Sequence, residues 1–434
     1  MPSASWTEAQ AAAHLRSLEL FGMRFGLDRM RRMMTVLGSP QQRYDCIHVL
    51  GTNGKTSTTR MTAAILERHG LRTATYTSPH LISYRERLQI GERDISGERF
   101  AAAIERAAWA AERVNGTLAG DDHVTQFELL TAAALWEIAE QDVDVAVIEA
   151  GLGGRYDATS VIDAKVTALT NVSLEHTRWL GPTVRDIAEE KLAVLAPDAT
   201  LVLGDSLDAD ALVVAERVAG ERGARILVAA GADPAGTTLA AKGAFQQRNF
   251  ALARTVAEAY LRHVSIEPSE AAIERAAVAT AVRGRLQTVA DDPLTVLDGA
   301  HNPDAVGALV ESLPDVLSGR PLGLVLGVLE DKDAVHMLEQ LLGCCARAWF
   351  TAPPSERALS PAALQSLARQ LGFDDVVCES SPQRALSLAQ DWARQSGGAV
   401  LATGSVYLVG ELLAALEIAS RAEDSGAPRR RASI

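Results

Sequence analysis

The chain has 434 residues, a formal net charge of -13, 47% hydrophobic residues and 22% charged residues. That length exceeds one ordinary core and predicts two domains, and the composition is that of a folded globular protein rather than a disordered one. The acidic balance excludes wholesale binding to nucleic acid or to anionic membrane, because a phosphate-tracking surface needs a basic excess. Anionic small molecules must then be met by local Lys, Arg, metal ions or helix ends.

At the start of the chain, "MPSASWTEAQAAAHL" has neither a basic opening nor an apolar run, and no later segment reaches membrane-span length. A soluble, cytoplasmic protein is expected. "CIHVLG" predicts a strand and "KTSTTRMTAAILERHG" the helix after it, and "VDVAVIEAG", "VTALTN" and "TLVLGD" predict further strands. Short apolar runs, each followed by a turn and an Ala/Leu/Glu/Arg-rich stretch, are the mark of a parallel sheet covered by helices. A second series begins at "LTVLDGAHNPDAVGALVESL" and continues through "LGLVLGVLEDKDAVHMLEQLL", "ARAWFTA" and "GAVLATGSVYLVGELLAAL". The fold class is therefore α/β: a doubly wound domain over residues 1–284 that carries a P-loop-type segment, and a Rossmann-like α/β domain over residues 285–425. The polar stretch "AVRGRLQTVADDPL" separates them, and residues 426–434 read as a disordered, arginine-bearing tail. Cys46, Cys344, Cys345 and Cys378 show no C-x-x-C spacing, so reduced thiols are expected, with neither a zinc site nor a disulfide framework.

The chemistry concentrates in "HVLGTNGKTSTTRM". A usual phosphate loop is G-x-x-x-x-G-K-[ST], and here Val49 stands where its first glycine would be. Gly51, Thr52, Asn53 and Gly54 nevertheless follow an apolar strand and precede a helix whose first turn holds Lys55, Thr56 and Ser57. Glycines let the backbone aim several N–H groups at one phosphate, the helix N-terminus adds partial positive charge, Lys55 reaches the outer phosphates and a hydroxyl can serve Mg2+. Nucleotide binding outweighs the plainer reading of a capped strand-to-helix turn. Glu149 ends the buried strand of "VDVAVIEAGLGGRYDATS" at a glycine-rich turn, a strand-end carboxylate in the crevice where α/β sheets bind ligands, and so the first metal candidate.

Taken together, "GTNGKTST", "YTSPHLISYRERLQI", "IEAGLGGRYDATS", "LEHTRWLGPTVRDIAEEK", "DGAHNP" and "TGSVYL" resemble, in order, the motifs of the folylpolyglutamate synthase and dihydrofolate synthase family of ATP-dependent Mur-type ligases. The resemblance runs from about Phe25 to Leu412, and the shortened loop is the form this family uses. It implies that ATP activates a carboxylate as an acyl phosphate, which the amine of L-glutamate then attacks; the acceptor would be dihydropteroate or a reduced folate. By the same resemblance, Thr56, Ser78 and Glu149 serve one Mg2+, and Glu149 and His176 a second. Lys191 matches a lysine that the family carries as a carbamate, an oxygen donor suited to a hard cation. On its residues alone, Lys191 reads as a helix-surface lysine beside Glu189 and Glu190.

The resemblance further implies ATP contacts from Asn249, preceded by Gln246 in "FQQRN", and from Arg285, Asp298 and His301, with the nucleotide between the two domains. Lys55, Lys191, His176 and Arg285 are the expected catalytic groups. The pterin or folate end is expected at Arg29, at Thr125, Phe127 and Glu128 of "TQFELL", and at Arg155, Tyr156, Asp157 and Ala158. Thr56, Ala150, Tyr156, Ser160 and Glu175 depart from the family's usual residues, and "EKLAVLA" from its "EKAGIIK", without removing a ligand. Alternatives kept open are a Mur-type ligase acting on a cell-wall precursor and an ATPase switch that forms no bond. A monomer acting on small molecules, with no nucleic-acid or membrane partner, is the default.

Overall fold

The computed structural model describes residues 6–18, 26–231 and 237–424. The expected tail at 426–434 lies outside the described residues. Two compact units divide the chain: Met1–Ala240 with Gln246–Thr280, and Ala241–Phe245 with Ala281–Ile434.

The first unit is built on β1 (Asp45–Leu50), β2 (Thr73–Tyr76), β3 (Leu88–Ile90), β4 (Arg93–Asp94), β5 (Val145–Glu149), β6 (Ala164–Leu169), β7 (Thr200–Leu203) and β8 (Arg225–Val228). They form one sheet in the order β4-β3-β2-β5-β1-β6-β7-β8. β1 lies at its centre and pairs in parallel with β5 and β6. Ile47, Val49, Val147 and Ile148 are completely buried, which is why these strands read as continuous apolar runs: helices cover both faces of a parallel sheet. The helices Gly97–Asn115 and Gln126–Glu140 supply much of the core on one face through small residues such as Ala103, Ala107, Ala132 and Ala133, which let helices approach the strands closely.

The second unit contains β9 (Gln287–Asp291), β10 (Leu294–Leu297), β11 (Leu322–Leu326), β12 (Arg347–Phe350), β13 (Val376–Cys378) and β14 (Ala399–Thr403), in the order β13-β12-β11-β14-β10-β9. Its core gathers Val296, Leu324, Leu326, Phe350 and Leu401 with Val306, Met337 and Leu364 from the helices.

Both sheets differ from the all-parallel expectation at an edge. β3 and β4 form an antiparallel hairpin against β2, and β9 runs antiparallel to β10. These strands are short or only half-buried, so they carry little of the apolar signal that marks the central ones.

Candidate functional site

In the first unit the predicted phosphate loop sits between β1 and the helix Lys55–Glu67. Gly51 has φ +138°, and a Cβ there would fall 1.8 Å from Thr170 Oγ1, so both conformation and space demand glycine. Gly54 caps the helix in the left-handed region at φ +84°. Contacts from the end of β6 and the turn after it hold the loop. Thr170 Oγ1 donates to Asn53 O at 2.6 Å, Asn171 Oδ1 accepts from Asn53 N at 2.8 Å, and Asn171 O accepts from Thr52 N at 3.0 Å. Thr170 and Asn171 escaped the sequence reading; the polar "TN" that closes an apolar strand was the available signal.

Lys55 Nζ donates to Gly51 O at 3.1 Å and Thr52 O at 3.0 Å, so the ammonium lies over its own loop. Lys191 Nζ donates to the same Gly51 O at 3.1 Å and to Leu152 O at 3.0 Å. The reading of Lys191 as a surface lysine is overturned: it is 3% exposed. The glycine turn after β5 lies against the end of the helix Val184–Leu192, with Arg155 N donating to Glu190 O at 3.1 Å. Burial, reinforced by the nearby Lys55 charge, lowers the Lys191 pKa to about 7, against the opposing pull of Glu175 and Asp157. A substantial share of Lys191 is therefore the neutral, nucleophilic amine near neutrality.

Glu149 is 2% exposed at the C-terminal end of β5. Thr56 Oγ1 lies 2.9 Å from each of its carboxylate oxygens, and Ser78 N donates to Oε2 at 3.1 Å. Thr56, Ser78 and Glu149, assigned together to a metal by the motifs, lie in contact, with the Ser78 amide rather than its hydroxyl making the contact with Glu149. A hydroxyl beside a buried carboxylate fits a hard, oxygen-seeking cation such as Mg2+. His176 adopts φ +53°, an uncommon backbone region for a non-glycine residue. Its Nε2 lies 3.6 Å from Glu175 Oε1, and its side chain is 38% exposed. Among the described residues there is no group of three or more His, Cys, Asp and Glu that could hold a metal ion.

The expected acceptor residues divide by what holds them. Phe127 packs on the backbone of Gly151, where a Cβ would fall 2.5 Å from its Cζ, and stacks near Tyr76 at 6.4 Å between centroids. Tyr156 is 47% exposed. Arg29 is buried, with Nε donating to Glu128 at 3.0 and 3.1 Å and Nη1 to Asp122 at 3.0 Å. Thr125 and Glu128 form a reciprocal cap on the helix Gln126–Glu140. Arg29, Thr125 and Glu128 are thereby engaged in holding that helix start, with Asp122 a partner the sequence reading missed. Arg155 faces Glu190 at 3.4 Å, and Ala158 is buried at the start of a short helical turn.

Asp157 clamps its own loop: Oδ2 accepts from Leu152 N and Gly153 N at 2.8 and 2.9 Å, and Oδ1 from Thr159 N and Oγ1 at 2.9 and 2.6 Å. Because the Thr159 hydroxyl proton goes to Asp157, His48 Nε2, 2.9 Å away, must donate to Thr159 Oγ1. Burial holds this β1 histidine neutral, its pKa lowered to about 4 despite the Asp157 charge. His48 was not among the predicted residues; its place inside an otherwise apolar strand was the signal.

Asn249 and Gln246 lie on the first turns of the helix Ala244–His263, and Asn249 approaches Gly54. Within the second unit, Arg285, Asp298 and His301 gather around Gly299. The Arg285 Nη1 lies 2.4 Å from the point where a Gly299 Cβ would stand, and it donates to Gly284 O at 3.0 Å. Asp298 accepts from Leu286 N and Ala300 N, both at 2.8 Å; burial raises its pKa while Arg285 and these amides oppose the rise. His301 Nδ1 lies 2.8 Å from Gly299 O, so that nitrogen carries the proton and Nε2 is left as the other ring site.

The described residues include no helix long and apolar enough to cross a membrane. The Mur ligase middle domain matches residues 49–206, and the Mur ligase glutamate ligase domain matches residues 284–406. A probable bifunctional folylpolyglutamate synthase/dihydropteroate synthase of Haloferax volcanii is 34% identical over 93% of this chain, and the chain spans 50% of that protein's length. The dihydrofolate synthase/folylpolyglutamate synthase of Escherichia coli is 30% identical, covering 96% of each chain. The solved structure of E. coli FolC in complex with DHPP and ADP superposes with a TM-score of 0.83 at 27% identity, covering 97% of this chain and 100% of the other.

Proposed function

The chain belongs to the folylpolyglutamate synthase/dihydrofolate synthase family of Mur-type, ATP-dependent ligases, and on that premise we propose that it joins L-glutamate to dihydropteroate, to the glutamate tail of reduced folates, or to both. The observation that carries this reading is the cradle formed by Gly51–Lys55 beside the Thr56–Glu149 pair and the buried amine of Lys191. Relatives named for folate ligation across nearly their full length favour this reading over a cell-wall ligase or a switch without bond formation.

In the proposed reaction, an oxygen of the acceptor carboxylate attacks the terminal phosphorus of ATP, and ADP leaves. The amine of L-glutamate then attacks the acyl carbon, an amide bond forms, and inorganic phosphate departs with a proton lost from the nitrogen. The loop amides and the N-terminus of the helix Lys55–Glu67 bind the phosphates. Lys55 exchanges its two loop carbonyls for phosphate oxygens, so its charge is retained where negative charge develops. Thr56, Ser78 and Glu149 would hold one Mg2+, and Glu149 with His176 a second. Bound Mg2+ would supply charge neutralisation at the phosphoryl group in transfer. Lys191, available as a neutral amine, is suited to carbamylation by dissolved CO2, which would turn it into an oxygen donor.

Phe127 and Tyr156 are proposed to meet the flat ring of the acceptor, while Asp157 and Ala158 shape the loop beside it. Asn249 is assigned to the base of ATP, and Arg285, Asp298 and His301 to nucleotide binding by the same motif match.

The mechanism is tested with dihydropteroate carrying heavy oxygen in its carboxylate. Acyl-phosphate chemistry transfers one labelled oxygen to the released phosphate; unlabelled phosphate alongside glutamylated product would rule it out.

A further inference from the structure

His48 stands in β1 between the fully buried Ile47 and Val49 and is itself buried. An imidazole inside a central, apolar strand costs free energy unless a hydrogen bond compensates for it. That bond is made to a residue 111 positions away: the neutral ring donates from Nε2 to Thr159 Oγ1 at 2.9 Å, and Thr159 is buried as well. The Thr159 hydroxyl and amide then donate to Asp157 Oδ1, while Leu152 N and Gly153 N donate to Oδ2. Four donors thus converge on Asp157 and close the turn after β5, and His48 is the side chain by which β1 holds the closed turn. The same strand continues through Val49 and Leu50 into Gly51 of the phosphate loop. Leu152 O and Gly51 O also share the Lys191 amine, but Lys191 has work of its own in the proposed reaction. His48 and Thr159 have none, so their bond is free to persist throughout.

Resting on the ligase reading, in which residues 155–158 face the acceptor, we propose that His48 is a positioning residue that holds the acceptor loop in register with the phosphate loop, so that the acceptor carboxylate arrives in line with the terminal phosphate. β1 pairs with β5 on one side and β6 on the other, and a strand fixed on both sides is a more rigid reference than a loop. The buried ring acts through Thr159 and Asp157. Alignment of two reacting groups is sensitive to small displacements, so loss of the tie should be felt by the acceptor. Nucleotide binding should not feel it, because Thr170 and Asn171 hold the phosphate loop separately.

The test compares acceptor KM in the full chain with ATP Kd by calorimetry and with the thermal midpoint of each variant. His48→Leu removes the donor; acceptor KM should rise about tenfold, the scale of one buried hydrogen bond, with ATP Kd unchanged. His48→Gln offers an amide N–H in the place of Nε2–H and should restore most of the acceptor KM. Thr159→Val removes the other partner, and adding His48→Leu to it should cost nothing more, because the two act through one bond. An unchanged acceptor KM in His48→Leu overturns the proposal. A rise that Gln does not reverse, matched by an equal loss of ATP affinity and a lower thermal midpoint, overturns it as well, because packing alone would explain that pattern. Hydrogen exchange of the Leu152 and Gly153 amides in the ligand-free chain reads the tie without any reaction. Exchange should quicken in His48→Leu and not in His48→Gln; equal exchange in all three proteins overturns the tie. If the parent chain glutamylates neither acceptor, the ligase reading fails, and with it the alignment role, whatever the exchange rates show of the tie.

Discussion

Thr56 and Glu149 meet across two neighbouring parallel strands: β1 leads into the loop and helix that carry Thr56, β5 ends at Glu149, and Val49 pairs in register with Glu149. The Thr56 hydroxyl lies 2.9 Å from both carboxylate oxygens. A short parallel pairing thus brings together a phosphate-loop hydroxyl and a strand-end carboxylate that are 93 residues apart.

Replacing Glu149 by Gln keeps the shape and the Thr56 contact but removes the charge that a divalent ion needs. The expected result is a fall in kcat of about a hundredfold or more, the scale seen when a charge-stabilising group is lost, with the fold intact by circular dichroism. Steady-state phosphate release across a Mg2+ titration checks it; near-normal kcat would remove Glu149 from the metal site.

Gly51→Ala places a methyl group into Thr170 Oγ1 and strains a φ of +138°. Nucleotide affinity should fall by at least tenfold, because the loop must move away from the phosphates to make room. The paired change Gly51→Ala with Thr170→Gly relieves the clash but not the backbone strain, so partial recovery of ATP binding in calorimetry is expected.

Lys191 has a folded pKa near 7, below its ordinary value of 10.5. The unfolded chain therefore binds more protons between those values, and the sign of the linkage makes stability rise with pH from about 7 upward, by at most about 1.4 kcal/mol per pH unit from this group. Below the folded pKa the contribution is flat, because both states are protonated. Urea unfolding in bicarbonate-free buffer should show this slope, and Lys191→Met should reduce it. An equal slope in both proteins would mean that Lys191 titrates as an ordinary lysine.

Arg29 holds Glu128 and Asp122 from a side chain only 7% exposed. Arg29→Met should destabilise the protein by about 3 kcal/mol, because it leaves a buried carboxylate without its partner. Adding Glu128→Gln should recover part of that loss. A variant of unchanged stability with a raised KM for the acceptor would instead make Arg29 a direct substrate contact.

Much of the fold was legible because the central strands are buried on both faces and bounded by turns, as "CIHVLG" and "VDVAVIEAG" illustrate. β3 and β4 were not, since "LQI" and "RD" are too short and too polar to stand out. At the site, Gly51–Ser57 and Glu149 could be read from local pattern alone. Lys191 could not: beside two glutamates it reads as exposed, and its burial arises from a glycine turn that approaches from elsewhere in the chain. Motif resemblance pointed to it where the residues did not. The Arg29–Glu128 pair spans 99 residues and His48–Thr159 spans 111, separations at which composition and periodicity carry no signal.

The most direct measurement of the central claim is the mass of the product formed from ATP, Mg2+ and L-glutamate with 7,8-dihydropteroate or tetrahydrofolate as acceptor, alongside phosphate release. The account predicts one glutamyl addition per phosphate released with at least one acceptor, and none when L-glutamate is omitted. ATP hydrolysis that leaves both acceptors at their original mass would contradict it.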